Sequence, residues 1–209
     1  MKGILKVFLI IAISIFSIGA IPNSNKKEFN LLEEKLTKNN EFIENGVRVH
    51  YELPKDLNEY ESIKNILLLE LGNNLNEKED SISYEDETIK ISASFFYNED
   101  TSFIQIDFIN TKNEFTTNEI QNKIEKIINR KAKKIKYFSY IKLKIKEENK
   151  NYNNEIINNN LKDKEMINIE NGKVGRAFLK DNTRVNLGYV KYNTGEYIII
   201  GTPVIFVTY

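Results

Sequence analysis

The sequence contains no cysteine and only one histidine, and these two shortages restrict the chemistry that the chain can carry out. Without cysteine it forms no disulfides, thiolate metal sites or cysteine nucleophiles, and it cannot be a lipoprotein anchored through a lipidated cysteine. With His50 alone, sites that require several histidines are excluded. His50 lies on the polar side of a predicted strand, beside Arg48 and Glu52, where we expect a solvated side chain rather than a catalytic base.

Glycine is also scarce, with nine residues in the chain. Neither the P-loop pattern GxxxxGK[ST] nor the dinucleotide-binding pattern GxGxxG occurs. Gly172, Gly175 and Gly188 are isolated glycines of the kind found in turns. The acidic segment from Glu77 to Glu87 lacks the spacing and the glycine of a calcium-binding loop, so a calcium site is not favoured. With 30 acidic residues, a catalytic carboxylate pair cannot be distinguished from chance. No cofactor or metal is therefore predicted.

The N-terminal residues resemble a secretory signal peptide, which we assign to residues 1–20. Lys2 and Lys6 precede a hydrophobic run, and the small residues Gly19 and Ala20 follow it. The apolar run covers 15 residues, from position 7 to position 21, and a helix that spans a bilayer needs about 20. Cleavage near Ala20 is therefore favoured over an uncleaved anchor, and we expect an extracytoplasmic protein that contacts the membrane only if this segment is retained.

Charge is distributed unevenly although the formal net charge is zero. The stretch from Glu28 to Asp107 has 19 acidic and 7 basic residues, whereas the stretch from Lys123 to Lys146 has 10 basic residues and one acidic residue. Such runs are usually solvated faces of a folded domain. The alternative is that the basic stretch attracts an anionic partner.

The basic stretch combines a helix with a strand. Thr116 and Glu119 have capping-box spacing, and an apolar stripe of helical period starts at Ile120, which predicts a helix from Asn118 to Lys131. From Ile135 to Lys146 the period changes to two, which predicts a half-buried strand. Its apolar side holds Ile135, Tyr137, Ile141, Leu143 and Ile145. Its other side holds Lys136, Phe138, Tyr140, Lys142, Lys144 and Lys146.

The remaining elements follow the same order twice: helix, strand, helix, strands. In the first half the patterns predict a helix at Glu28–Ile43, a turn at Asn45–Gly46, a strand at Val47–Leu53, a helix at Tyr60–Leu71, and a hairpin of Thr88–Tyr97 with Ser102–Ile109. In the second half they predict, after the central helix and strand, a helix at Asn154–Met166 and strands at Lys173–Lys180, Arg184–Tyr192 and Glu196–Thr208, with Pro203 at an edge or a bulge.

This order predicts an α+β fold in which one curved antiparallel sheet carries helices on one face. Residues 25–209 would form a single domain of two pseudo-repeats, at about 25–113 and 114–209. The opposite face would be an open concavity. It would be lined by the six outward residues of the central strand and by Lys90, Phe96, Phe103 and Gln105 of the hairpin.

The last part of the chain resembles the C-terminal end of the YwmB family of secreted proteins from Gram-positive bacteria. The resemblance covers about 25 residues and is carried by Asn186, Leu187, Tyr192, Asn193, Tyr197, the run Gly201-Thr202-Pro203-Val204-Ile205, and Tyr209. It implies a duplicated TATA-box-binding-protein-like fold and secretion. That family has no assigned biochemical activity, so the resemblance implies no substrate or ligand.

The favoured function is a non-enzymatic binding module at the cell envelope, and a structural or accessory envelope protein is the alternative. An enzyme is the least favoured class, because the catalytic motifs are missing. We expect the exposed row Lys136, Phe138, Tyr140, Lys142, Lys144 and Lys146 to bind an anionic wall polymer, lipid headgroups or an acidic protein. Nucleic acid is not expected of an exported protein. The competing interpretation is that these lysines only discourage edge pairing and that Phe138 and Tyr140 are covered.

Overall fold

The structure is a computed structural model that describes residues 27–54, 57–72 and 74–207. The predicted signal peptide and Tyr209 lie outside the described residues. None of the described helices is both long enough and apolar enough to cross a membrane.

The described part of the chain forms an α+β fold with four α-helices and one antiparallel sheet of ten strands, which confirms the predicted fold class. The helices are α1 (Lys27–Thr37), α2 (Glu59–Leu71), α3 (Thr117–Ile127) and α4 (Lys150–Asn160). The strands are β1 (Glu41–Pro54), β2 (Asn76–Lys78), β3 (Ser81–Glu85), β4 (Ile89–Tyr97), β5 (Thr101–Asn110), β6 (Lys133–Lys144), β7 (Leu161–Ile169), β8 (Gly172–Leu179), β9 (Arg184–Tyr192) and β10 (Gly195–Thr202).

The strand order in the sheet is β2-β3-β4-β5-β1-β6-β10-β9-β8-β7. The antiparallel pair of β1 and β6 lies in the middle, with Val49 opposite Tyr137 and Gly46 opposite Tyr140. Outward from β1 the strands run from β5 down to β2, and outward from β6 they run from β10 down to β7. Each side of the central pair therefore holds the strands of one half of the sequence.

All four helices pack on one face of the sheet, because their apolar stripes meet strand residues that alternate toward that face. The first helix of each half packs against the strands of the other half. Helix α3 leads the second half, but Ile120 and Ile124 are buried with Val47 and Ile106 of the first half. Helix α1 leads the first half, but Leu32 and the rest of its stripe are buried with strands β6, β9 and β10 and with helix α4. Each cluster therefore depends on a helix from the other half.

The helix predicted at Glu28–Ile43 is correct only up to Thr37, and the turn predicted at Asn45–Gly46 is wrong. Helix α1 ends at Thr37, and Asn45 and Gly46 lie inside β1. The Asn45 amide is buried and donates from Nδ2 to Glu33 Oε1 and to the carbonyl of Phe115, both at 2.8 Å. A turn-forming dipeptide is thus part of a strand, because its side chain has buried partners that are remote in sequence.

Two predictions in the second half also require correction. Helix α4 ends at Asn160, whose Nδ2 donates to the carbonyl of Ile156 at 2.7 Å, and β7 replaces the rest of the helix predicted up to Met166. The last strand ends at Thr202 rather than at residue 208, and β10 lies between β6 and β9, so Pro203 is not on an edge strand. Proline has no N–H to continue the ladder, and it lies directly after the strand end.

The predictions based on strong local patterns are confirmed, except that helix α3 ends at Ile127 rather than at Lys131. Helix α3 has the full capping box: Glu119 N–H donates to Thr116 Oγ1, and Thr116 N–H donates to Glu119 Oε2 at 2.8 Å. The hairpin of β4 and β5 turns at Asn98, whose Oδ1 accepts from the Thr101 N–H at 2.7 Å. These elements were predictable because their capping and turn hydrogen bonds join residues only three positions apart in the sequence.

Candidate functional site

The predicted binding row lies on the face of the sheet opposite the helices, which we call the outer face. Alternation along β6 places Lys136, Phe138, Tyr140, Lys142 and Lys144 there, and Lys146 follows the strand end. The row is not an exposed aromatic surface. Phe138 is 7% exposed and Tyr140 is 0% exposed, so the competing interpretation that both rings are covered is confirmed, and the expectation that they face solvent is wrong.

Tyr140 is covered because glycines lie opposite it on both neighbouring strands. Gly46 of β1 and Gly201 of β10 are its cross-strand partners. A Cβ on Gly46 would lie 2.8 Å from Tyr140 Cε1, and a Cβ on Gly201 would lie 2.8 Å from Ile205 Cγ1. The missing side chains therefore leave space for the tyrosine ring on one strand and for the returning chain on the other.

Residues 203–207, which we call the C-terminal segment, fold back over the outer face after β10. Ile205 lies over Gly201, and the ring of Phe206 meets the ring of Tyr140 edge-on with a centroid distance of 4.9 Å. The Arg48 guanidinium lies 4.6 Å from the centroid of the Phe206 ring. The segment thus crosses from β10 over β6 to β1 and covers the centre of the outer face.

Beside the C-terminal segment, the outer face carries a connected set of polar side chains. Arg48 donates from Nε and Nη2 to the two carboxylate oxygens of Asp107, each at 2.6 Å. Gln105 Nε2 donates to Asp107 Oδ2 at 3.2 Å, and Gln105 Oε1 lies 2.9 Å from His50 Nε2. The His50 ring packs at 5.1 Å from the ring of Phe138, which explains why that ring is buried.

His50 is therefore not the solvated residue that the sequence predicts. Burial lowers the pKa of His50, and the charges of Arg48 and Lys136 lower it further, while the hydrogen bond with Gln105 and the charge of Asp107 oppose this shift. Arg48 was predicted on the polar side of its strand with His50, but Asp107 and Phe206 were not predicted as members of this face. Their partners lie on other strands, and the strand register that brings them together is not written in any local pattern.

At the other end of the outer face an open depression of about 620 Å³ surrounds Lys142. We call it the Lys142 depression. The Lys142 Nζ lies 5.8 Å from the ring centroid of Tyr192 and 5.9 Å from that of Tyr197, and the two rings meet edge-to-face at 5.3 Å. Thr194 Oγ1 lies 2.8 Å from the Tyr197 hydroxyl. The lining residues are Ile43, Lys142, Lys191, Tyr192, Asn193, Thr194 and Tyr197.

Local backbone irregularity shapes this depression. The pairing of β1 with β6 shifts register between Phe42 and Glu44, so Ile43 is the extra residue of a bulge. Phe42 packs toward the helices, and Ile43 lines the depression. The turn between β9 and β10 supplies Asn193 and Thr194. The sequence patterns separated the two strands that flank this turn, Arg184–Tyr192 and Glu196–Thr208, but did not reveal the bulge.

The lysines of the predicted row differ in how their charges are balanced. Lys144 lies 3.7 Å from a carboxylate oxygen of Glu41, and its stem passes over Gly195. Within the described part of the chain, Lys136, Lys142 and Lys146 form no ion pair. The positive charge along β6 is therefore only partly neutralised by the protein itself.

The acidic segment from Glu77 to Glu87 is held by lysines. Glu77 pairs with Lys64, Glu85 with Lys90 and Glu87 with Lys112, at 2.6 to 2.8 Å. Asp86 accepts from two backbone N–H groups of the following turn. Across residues 27–54, 57–72 and 74–207, no three His, Cys, Asp or Glu side chains are grouped closely enough to hold a metal ion.

One carboxylate with a perturbed pKa lies on the helix side, inside the protein. Glu33 of α1 is 4% exposed and accepts hydrogen bonds from Asn45 Nδ2 at 2.8 Å, from the Thr117 N–H and from Thr117 Oγ1 at 2.5 Å. Burial raises the pKa of Glu33, and these hydrogen bonds oppose the shift. Because Thr117 begins α3, the carboxylate lies at a helix N-terminus, where negative charge is favourable. Glu33 links the two leading helices and does not line the Lys142 depression.

No protein-family model matches the chain, and no curated protein matches it. The resemblance of the last 25 or so residues to the YwmB family stays a prediction. The geometry of the outer face is therefore the basis for the functional argument.

Proposed function

We propose that the chain is a non-enzymatic binding module of the cell envelope that binds an anionic partner through the basic end of its outer face. We further propose that its sheet is a duplicated TATA-box-binding-protein-like fold. The strand order, which repeats outward from the β1–β6 pair, supports the duplication, as does the reciprocal packing of α1 and α3. The apolar run after Lys2 and Lys6 supports export.

The observation that carries the binding proposal is the position of Lys142. Its ammonium lies near two tyrosine rings in an open depression, and it has no carboxylate partner among the described residues. Lys136 and Lys144 point to the same face of β6. Exposed charges of one sign on one strand face create a local potential that attracts a charge of the other sign. Phe138 and Tyr140 are left out of this surface because they are buried.

A structural or accessory role in an envelope assembly is the second candidate. Among the described strands, β7 lies at the edge of the sheet beside β8, and it carries apolar side chains in solvent, with Ile167 63% exposed and Met166 37% exposed. Exposed apolar edges favour contacts with other proteins. Attachment through this edge would be insensitive to the charge of β6.

Retention on native envelope material distinguishes these candidates. The triple variant Lys136→Gln, Lys142→Gln and Lys144→Gln is compared with the parent between low and high salt. Binding through the outer face predicts retention that falls with salt, because exposed charges are screened beyond about 8 Å at physiological ionic strength. It also predicts weaker retention of the triple variant. Retention that ignores salt, or that is equal for parent and folded variant, would rule out this face.

A matched control removes the same charge elsewhere. Lys126, Lys131 and Lys180 are exposed and lie outside the strands that form the centre of the outer face. Their replacement by glutamine leaves retention unchanged if position matters and reduces it equally if only net charge matters.

N-terminal sequencing of protein from the native cell tests export separately. A start near Ala20 to Pro22 supports export, and a membrane-bound chain that still begins at Met1 contradicts cleavage.

A further inference from the structure

The electrostatics of the Lys142 depression favour an anion. No carboxylate lines the depression, and although Glu44 of β1 lies opposite Lys142 in the strand register, Lys142 forms no ion pair among the described residues. The Lys142 ammonium lies 5.8 and 5.9 Å from the ring centroids of Tyr192 and Tyr197. Aromatic faces attract a cation but do not neutralise its charge, so the ammonium remains available to a negative group.

The shape of the Lys142 depression favours a small carbon skeleton attached to that anion. Its volume of about 620 Å³ lies in the range of small-molecule sites. The rings of Tyr192 and Tyr197 meet edge-to-face with their centroids 5.3 Å apart, and the aliphatic side chain of Ile43 also lines the depression. Because the depression is shallow and widely open to solvent, it contacts a ligand from one side, and one unit of a longer polymer fits as well as a free molecule.

Polar groups at the rim suit a ligand that carries hydroxyls. Asn193 and Thr194 lie in the turn that borders the depression, and Thr194 Oγ1 is held 2.8 Å from the Tyr197 hydroxyl. The Tyr192 hydroxyl is buried and has no hydrogen-bond partner among the described residues. A buried hydroxyl without a partner is unfavourable unless a water or a ligand satisfies it.

The residue types favour an anion of high charge. Arginine forms two parallel hydrogen bonds with either a carboxylate or a phosphate, and no arginine lines the Lys142 depression. Lysine acts as a compact point charge, and it attracts a phosphate ester, which carries about −1.5 to −2 charge at pH 7, more strongly than a singly charged carboxylate. We propose that the Lys142 depression binds a sugar or polyol unit that carries a phosphate ester. This proposal rests on the proposed function and names the unit of the anionic partner.

The experiment titrates the full folded chain with glycerol 3-phosphate and glucose 1-phosphate while NMR follows the ring signals of Tyr192 and Tyr197. Glucose, inorganic phosphate and glucuronate are the comparison ligands. We expect both esters to shift the two ring signals and to bind about tenfold or more tightly than glucose, because a hydrogen bond to a charged group is lost with the neutral sugar. They should also bind more tightly than inorganic phosphate.

Variants locate the interaction. Lys142→Gln should weaken ester binding by about tenfold or more, and Lys126→Gln, which removes a charge on helix α3, should leave it unchanged. Thr194→Ala, in the turn at the rim, provides a second variant if the first does not fold. Its expected loss is smaller, because it removes a neutral hydrogen bond.

Each remaining outcome overturns the proposal. Unshifted ring signals, or equal binding by parent and Lys142→Gln, exclude the Lys142 depression. Inorganic phosphate that binds as tightly as the esters excludes a role for the carbon skeleton, and tighter binding of glucuronate excludes the preference for phosphate. If envelope retention depends on salt and on β6 but the esters do not bind, only this inference fails. If retention has neither dependence, the proposed function fails first.

Discussion

At the scale of single residues, Gly46 shows how one missing side chain decides which part of the outer face is buried. A Cβ there would lie 2.8 Å from the backbone oxygen of Phe108 and 2.8 Å from the ring of Tyr140. Backbone cannot move aside easily, so Gly46→Ala should lower the free energy of unfolding by about 1–3 kcal/mol. Urea unfolding measures this loss. A change below about 0.5 kcal/mol, the size of an ordinary surface substitution, would show that the ring and strand adjust freely.

Glu33 provides a prediction about pH. Burial raises the pKa of Glu33 above its ordinary 4.5, so the folded state favours the protonated acid. The stability that protonation contributes is fully present below the ordinary pKa and is lost as pH rises through the raised pKa. We therefore expect the stability of the parent relative to Glu33→Gln to fall as pH rises above 4.5.

Urea unfolding of parent and Glu33→Gln at a series of pH values tests this, and the difference cancels the titration of other carboxylates. Glu34→Gln is the matched control, because Glu34 is exposed on the same helix and pairs with Lys38. Its pKa is lowered by that lysine, so its contribution has the opposite sign. A parent-minus-Glu33→Gln difference that is flat or rises with pH would contradict the prediction.

At the scale of elements, the C-terminal segment is predicted to lock the centre of the outer face. Phe206 contacts Tyr140 and Arg48, and these three side chains come from three different elements. Phe206→Ala should lower the free energy of unfolding by about 1–3 kcal/mol, less than for a fully buried phenylalanine. Tyr140 is 0% exposed, so removing the ring that packs on it should also expose the Tyr140 ring to solvent.

Urea unfolding measures the loss of stability, and the NMR signals of the Tyr140 ring measure the change in its surroundings. Phe96→Ala is the control, since Phe96 is 55% exposed on the same face and does not touch the C-terminal segment in any described contact. Equal effects of the two substitutions would mean that the segment is only loosely placed. Unchanged Tyr140 ring signals in Phe206→Ala would show that the segment does not shield Tyr140.

Element boundaries also show where sequence patterns are informative. The capping box of α3 and the alternation of β6 predicted these elements because each signal involves neighbours along the chain. The turn predicted at Asn45–Gly46 is wrong, because the local preference of this dipeptide for a turn is outweighed by buried hydrogen bonds from Asn45 and by the tyrosine ring over Gly46. Tertiary contacts that are remote in sequence override a weak local preference.

At the scale of the whole molecule, the exchange of leading helices predicts that the two halves fold as one cooperative unit. A fragment from Asn23 to Asn113 lacks α3, so the core of the first half loses the side chains of Ile120 and Ile124. The apolar side of α1 also loses the strands of the second half, on which it packs. We expect this fragment to show no sharp thermal transition, whereas the full chain unfolds in one transition.

Circular dichroism during heating tests the fragment against the full chain. Extending the fragment to Lys131 restores α3 but leaves the apolar stripe of α1 without its sheet, so recovery should be partial at most. A sharp transition in the shorter fragment would show that the first half is an independent domain.

The sequence by itself determined the fold class, most of the helices and strands, and which side of each strand is apolar, because these depend on periodicity and on caps within a few residues. It also placed five of the six residues of the predicted row on the side of β6 away from the helices, and Lys146 lies beyond the end of that strand. Only the tertiary structure decided that Phe138 and Tyr140 are buried while Lys142 forms no ion pair with any described residue. Those outcomes depend on strand register, on two glycines opposite one tyrosine, and on a C-terminal segment that returns across the sheet. No local pattern encodes contacts between residues so far apart in the chain.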